Sequence, residues 1–195
     1  MDPTLRSRSK QRGNSFTSCL LTTILVFGGL GFYYFKYFKW RHLDNPTEGV
    51  TVAKVEGGGA QYNDFRKRAT SQVCDPMEFT LKRIKKIRIK TKKGTVNYPE
   101  FEQDVTEVRN KLLSTMTDAR LRRVPKVYWK KYKPALEGIG LAYQSINETE
   151  ESLYQETSSA RERLYKSSVK KWNKSNKKIS VAREYFRSSS SAGDI

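Results

Sequence analysis

The sequence predicts an all-α protein: a single N-terminal transmembrane helix, then an elongated helical hairpin or small helical bundle with one long C-terminal helix. One long uncharged apolar run and apolar positions spaced by three and four residues support this class. The 195 residues include 38 Lys and Arg against 20 Asp and Glu, a formal net charge of +18, and only 36% are hydrophobic. This composition suits thin helical bundles better than a thick globular core.

The apolar run extends from Gly13 to Phe35, 23 residues without a charge. At about 1.5 Å per residue it would span roughly 34 Å, enough to cross a hydrocarbon core of about 30 Å. Aromatic rings and cations then alternate, as they do at a membrane–water boundary. We therefore predict a basic head over residues 1–18 and a transmembrane helix over residues 19–41. Its boundary residues are Tyr33, Tyr34, Lys36, Tyr37, Lys39, Trp40 and Arg41.

A cleaved signal peptide is the alternative for this run. No small-x-small cleavage site follows it, because bulky aromatic residues and lysines occupy that place, so an uncleaved signal-anchor fits better. Lys and Arg are equally numerous on the two flanks, and the positive-inside rule therefore does not decide the orientation. Short basic heads usually stay in the cytoplasm. On that ground we expect a cytoplasmic N-terminus and an extracytoplasmic soluble domain.

The segment that follows the anchor is rich in glycine and carries a proline. Residues 42–60 are predicted to be a flexible linker, with a short extended piece at Val50–Val55. A basic α-helical module is expected over residues 61–187. The low-complexity residues 188–195 are predicted to be a disordered tail.

Two helices open the predicted module. The first is expected from Gln61 to about Gln72. Asp75 as a cap and Pro76 in the first turn begin the second, and Gly94 would end it. Apolar residues also alternate around Lys92–Gly94, so a β-hairpin is the alternative for this stretch.

The clearest amphipathic helix is predicted from Tyr98 to about Val124, with one apolar stripe and Pro125 as its end. Pro134 would then begin a final helix that runs to about Arg187, roughly 80 Å long if unbroken. The apolar positions of this helix drift in phase, so no strict coiled coil is expected. A break near residue 145 remains an alternative. These two helices, packed antiparallel, would form the predicted helical hairpin.

Positive charge concentrates in two stretches, because residues 76–97 and 166–187 each carry an excess of seven basic residues. Such clusters attract an acidic protein partner or larger membrane complex, anionic lipid, or, least favoured, nucleic acid. The predicted basic cluster consists of Lys82, Arg83, Lys85, Lys86, Arg88, Lys90, Lys92, Lys93, Lys126, Lys130, Lys131 and Lys133.

The final helix is about twice as long as its predicted partner, so part of its apolar stripe is expected to be exposed and to contact another protein. The residues predicted to make that contact are Trp172, Ile179, Tyr185 and Phe186. The alternative is that the helix over residues 76–92 covers the stripe within the same chain.

Residues able to carry out catalysis are few. The chain has two cysteines, Cys19 and Cys74, and one histidine, His42, which argues against a disulfide framework, a zinc site or a histidine-based catalytic site. Basic residues before Cys74 could lower its pKa, but a small buried thiol is the better interpretation. We predict no enzyme, catalytic residue, cofactor or metal. The expected function is a membrane-anchored scaffold that docks or tethers a protein complex, with a lipid or nucleic-acid tether as the alternative.

Overall fold

The computed structural model describes residues 43–53, 59–120 and 123–188, and their architecture is all-α, as predicted. The predicted head, anchor and boundary residues fall outside these ranges, as does the predicted tail apart from residue 188. Within the ranges, no helix is long and apolar enough to cross a bilayer. The elements are β1 (Val52–Ala53), α1 (Gly59–Arg68), a π-helical segment (Ala69–Cys74), α2 (Asp75–Lys93), α3 (Tyr98–Arg120), β2 (Val124–Pro125), α4 (Lys126–Leu153) and α5 (Ser158–Ser188).

The four longer helices form a bundle. Each contacts the next in the cyclic order α2, α3, α4, α5 and back to α2, while α2 also touches α4. Short connections between successive helices make neighbours antiparallel. The apolar stripe predicted for α3 is the face that is buried: Phe101, Val105, Val108, Leu112, Met116 and Ala119. The apolar periodicity therefore predicted the buried face of α3 correctly.

The helices α1 and α2 join without a break, through the π-helical segment. The prediction that Asp75 caps a new helix is wrong, because Asp75 has helical φ and ψ angles and its N–H donates to the carbonyl of Thr70, five residues back. Gly94 ends α2 as predicted, with a left-handed φ of 67° and its N–H on the carbonyls of Lys90 and Thr91. A helix, not the alternative hairpin, thus occupies this stretch.

The prediction of a single final helix from Pro134 to Arg187 is also wrong. The first part begins earlier, at Lys126, and contains Pro134 within it. The chain then leaves the helix at residues 154–157 and returns as α5. The fold favours this reversal because α4 and α5 bury their small-residue faces against each other, which one continuous helix would leave exposed. Residue 145, where a break was the alternative, lies inside α4.

Small side chains let α4 and α5 approach closely. The hydroxyl of Ser175 donates to the carbonyl of Gly138 at 2.6 Å. A methyl group at Gly138 would lie 2.9 Å from the side chain of Ile179, so only glycine fits there without a shift. Nearer the reversal, the Ser168 hydroxyl donates to the Ser145 carbonyl at 2.9 Å and lies 2.6 Å from the Thr149 hydroxyl. These buried hydroxyls are satisfied by one another across the interface.

Residues 43–53, the lead segment, pack against the bundle. Leu43 is fully buried, and a methyl group at Gly140 of α4 would lie 2.7 Å from the Leu43 carbonyl oxygen. The guanidinium of Arg120 donates to the backbone carbonyls of Asn45, at 3.1 Å, and Glu48. Val52–Ala53 pairs in parallel with Val124–Pro125. The flexible linker predicted over residues 42–60 therefore does not hold for residues 43–53, since buried contacts and backbone pairing fix them, while the extended piece is confirmed at two positions.

Replacement of Ser168 by alanine should lower the free energy of unfolding by about 1–3 kcal/mol, because the buried Thr149 hydroxyl loses its neighbour and the Ser145 carbonyl loses a donor. Urea unfolding followed by circular dichroism measures this. Ser180→Ala on the exposed side of the same helix is the matched control and should change stability by less than about 0.5 kcal/mol. Equal effects of the two substitutions would show that the hydroxyl network contributes nothing specific.

Gly140→Ala should loosen the lead segment. Overpacking of this kind costs about 1–3 kcal/mol, which exceeds the gain of about 1 kcal/mol in helix propensity. The readout is hydrogen exchange at the Val124 amide, which donates to the Thr51 carbonyl at 2.9 Å. Its exchange should become faster in Gly140→Ala and stay unchanged in Gly59→Ala, where an added methyl group has open space. Unchanged exchange in both variants would contradict the fixed docking of this segment.

Candidate partner-binding surfaces

Two of the four predicted partner-contact residues are buried within the chain itself. Ile179 packs against Gly138, and Phe186 lies in an aromatic cluster with Phe65 and Tyr132, whose ring centroids are each 6.1 Å from its own. The expected exposed stripe is therefore wrong for Ile179 and Phe186. The physical reason is that the chain reverses after α4, so that α4 covers Ile179 while α1 and α4 together cover Phe186. The alternative cover named above was only the helix over residues 76–92. Neither side chain can contact a partner in this fold.

Trp172 remains half-buried at the seam between α2 and α5. Its indole N–H donates to the Leu81 carbonyl at 2.9 Å, so the ring is fixed in place. The Lys85 ammonium lies 5.9 Å from the ring centroid and the Arg88 guanidinium lies 5.4 Å from it. Both are in the range of cation–π attraction. Trp172 thus places an aromatic surface between cations, while Arg88 is itself buried and burial lowers its pKa.

Tyr185 is half-buried at the other end of α5. The Lys131 ammonium lies 5.1 Å from its ring centroid, and the Tyr128 ring lies 6.3 Å away. Tyr185 therefore belongs to the edge of the aromatic cluster that joins α1, α4 and α5. Its first role is to cover Phe186, whose ring centroid is 5.2 Å from its own.

The α2 part of the basic cluster divides into paired and unpaired cations. Arg83 pairs with Asp104 at 3.0 Å and with Glu107, while Lys90 pairs with Glu100 at 2.7 Å. These pairs raise the pKa of both cations and attach α2 to α3. Lys82 pairs with Glu78 on its own helix at 2.9 Å. Four further lysines are exposed and form no ion pair with the described residues: Lys85, Lys86, Lys92 and Lys93.

The predicted cluster omitted a stripe of lysines on α5. Lys170, Lys174 and Lys177 recur at steps of four and three, so they share one exposed face. None of them pairs with an acidic group in the part of the chain that the structure describes. By contrast, Lys171 and Lys178 point toward α4 and pair with Glu148 and Glu137, at 2.7 and 2.5 Å. The excess charge over residues 166–187 was a usable signal for this stripe.

Charge is distributed unequally between the helices. Helix α2 contains eight Lys and Arg against two acidic residues, and α5 contains ten against two. Helix α3 contains three basic and five acidic residues, and α4 contains four of each. Helices α2 and α5 are neighbours and together carry an excess of 14 positive charges. Four of these cations pair with acidic residues of α3 and α4, which leaves an excess of ten on this side of the bundle. We call this side the basic face; Trp172 lies at its seam.

Exposed apolar side chains accompany the lysines of α2. Phe79 and Ile89 are both exposed and lie on the solvent side of the helix. Phe79 also lines a cleft of about 430 Å³ between α2 and α3, together with Val108 and Asn110. Such a cleft can hold an apolar side chain of a partner. Sequence analysis did not include Phe79 because its predicted partner-contact residues were all taken from the final helix.

The second part of the predicted cluster lies on a different helix. Lys126, Lys130, Lys131 and Lys133 belong to the first two turns of α4 and are exposed. They directly follow β2, which pairs with the lead segment. The structure therefore divides the twelve predicted cations between α2, where Arg88 is buried, and the start of α4.

Few groups in the described ranges are suited to catalysis. No group of three or more His, Cys, Asp or Glu residues within those ranges could hold a metal ion. The Cys74 thiol is buried and free, and burial raises its pKa to about 12, helped by the neighbouring Asp75 carboxylate. His42 lies outside the described residues. Comparison of the chain with protein-family models, curated proteins and solved structures finds no match.

Cys74 should be unreactive toward N-ethylmaleimide at pH 8 while the protein is folded, since only the thiolate attacks and a pKa of about 12 leaves almost none. A Cys19→Ser background isolates its signal, and mass spectrometry follows the labelling. We expect a rate at least about 1000-fold below that of the chain unfolded in guanidinium. Rapid labelling of the folded protein would mean that the thiol is accessible and ionised.

Proposed function

We propose that the protein is a membrane-anchored scaffold that docks an acidic protein partner, or a larger membrane complex, on its basic face. The observation that carries the proposal is the excess of ten positive charges that remains on the adjacent helices α2 and α5 after four of their cations pair with α3 and α4. Keeping like charges together opposes folding, so an acidic partner that neutralises them would gain free energy by binding there. The role is structural and not catalytic.

The anchor in this proposal is the predicted transmembrane helix over residues 19–41, which contains most of the uncharged run from Gly13 to Phe35. The head over residues 1–18 would lie in the cytoplasm, with the helical module on the other side of the membrane. The signal-anchor gives the module its location, and the basic face gives it a partner.

Charge alone would bind weakly, because exposed ion pairs contribute only about 0–1 kcal/mol each. Strong binding needs a few desolvated apolar or aromatic contacts inside the charged region. Trp172, Phe79 and Ile89 supply such contacts in or beside the basic face. In the proposal the lysines steer and orient the partner, and these three side chains hold it.

The test places a photo-crosslinking amino acid at Lys174 on the basic face of the full chain in its native membrane. We expect a crosslink to one acidic protein at low salt. The triple substitution Lys170→Glu, Lys174→Glu, Lys177→Glu, probed from Lys86, should reduce the yield at least tenfold because it changes the local charge by six units. Quantitative mass spectrometry measures the yield.

Lys67→Glu on α1 is the control for a general loss of charge, since Lys67 is exposed and lies outside α2, α5 and the cleft beside Phe79. This control should leave the yield unchanged. A crosslink that persists in the triple variant, or that Lys67→Glu reduces equally, would contradict docking on the basic face. Crosslinks only to nucleic acid would favour the alternative tether.

A further inference from the structure

The beginning of the lead segment is packed tightly against the bundle. Leu43 is fully buried, and its carbonyl oxygen lies where a side chain at Gly140 would stand. The predicted membrane boundary ends at Arg41, only two residues earlier. Because one residue spans at most about 3.6 Å, a chain that leaves the headgroups at Arg41 would reach Leu43 within about 7 Å. Leu43, which packs beside Gly140 of α4, is then the described residue nearest to lipid along the chain.

From Leu43 the lead segment runs back along α4 to the beginning of this helix. Gly140 and Lys126 are separated by about 21 Å at about 1.5 Å per residue, so the segment follows this length of α4. The parallel pairing of Val52–Ala53 with Val124–Pro125 ends directly before Lys126. Three lysines in the first turns, Lys126, Lys130 and Lys133, are spaced by four and three residues and share one exposed face. Val127 beside them is 64% exposed, and Trp129 is half-buried.

We propose that the first two turns of α4 (Lys126–Lys133), together with the lead segment, form a surface that rests on anionic lipid headgroups. This inference depends on the anchor in the proposed function. Lysines beside an exposed valine and a tryptophan are the mixture that interfacial helices present to a bilayer: the cations meet the lipid phosphates while the apolar groups enter the headgroup layer. The favoured occupant is lipid instead of protein because the lead segment lies along α4 and begins two residues after the predicted membrane boundary.

The lipid surface and the basic face are carried by different helices. The lysines of the basic face lie on α2 and α5, whereas the lipid surface lies on α4 beside β1. Occupation of one therefore leaves the other accessible. In this arrangement the same module contacts the bilayer and displays its basic face to a protein partner.

The test compares two exposed valines in the full chain, in a Cys19→Ser background. A bimane label is attached to Val127→Cys on α4 or to Val181→Cys on α5, where the native side chains are 64% and 50% exposed. Buried Cys74 should not take the label. The chain is reconstituted in vesicles of phosphatidylcholine, alone or with 30% phosphatidylglycerol (a composition of about one anionic lipid in three), and doxyl-labelled lipid serves as quencher.

We expect blue-shifted emission and at least about twofold stronger quenching at position 127 than at position 181 in the anionic vesicles. The substitutions Lys126→Glu, Lys130→Glu, Lys133→Glu should abolish the difference, and the matched set Lys170→Glu, Lys174→Glu, Lys177→Glu should keep it. Equal quenching at both positions, stronger quenching at position 181, or a difference of the same size in pure phosphatidylcholine would overturn the proposal.

Alkaline carbonate extraction separates failure of the anchor from failure of the surface. If the chain resists extraction but position 127 is not quenched, the anchor stands and the lipid surface is overturned. If carbonate removes the chain, the anchor is overturned. In that case the labelled protein is bound to the outside of anionic vesicles. Selective quenching at position 127 then supports the lipid surface, and no quenching overturns it.

Discussion

The close contact between α4 and α5 is the constraint on which the rest of the fold depends. It forms because Gly138, Ser145 and Thr149 on one helix meet Ser168 and Ser175 on the other, and their hydroxyl groups find partners across the interface. Two helices at this separation cannot be parts of one straight rod, so the chain must reverse at residues 154–157. The reversal returns the end of α5 to the start of α4. There Phe186 completes the aromatic cluster that also holds α1.

The same reversal determines where the charge lies. It sets α5 beside α2, so two basic segments that are about 90 residues apart in the sequence become neighbours. Their repulsion is offset at one end, where Arg183 donates to Asp75 at 3.0 Å and also pairs with Glu78. Further along the seam, Lys85 and Arg88 of α2 lie within cation–π range of the Trp172 indole on α5. Local compensation of this kind lets a fold retain an electrostatically unfavourable surface, which is what a binding role requires.

Periodicity predicted the elements that bury large apolar side chains. The stripe from Phe101 to Ala119 and the left-handed Gly94 follow from side-chain size and backbone freedom, which are local properties. The close α4–α5 interface was not predictable in the same way, because serine, glycine and threonine resemble a polar surface until a second helix supplies their partners. Ile179 and Phe186 were misplaced for that reason: with one long rod there was nothing to cover them. The lead segment was misjudged because its backbone pairing depends on β2, which is distant in sequence.

Fixing the lead segment has a consequence for any scaffold. A module on a glycine-rich tether samples many orientations, and each binding event must then restrict them. Residues 43–53 remove part of that freedom in advance through the buried Leu43 and the two carbonyls held by Arg120. The orientational cost of docking a partner falls accordingly, so a surface of modest apolar area can still bind with useful affinity. The individual ion pairs of the basic face are weak, so the proposed docking depends on this lower orientational cost.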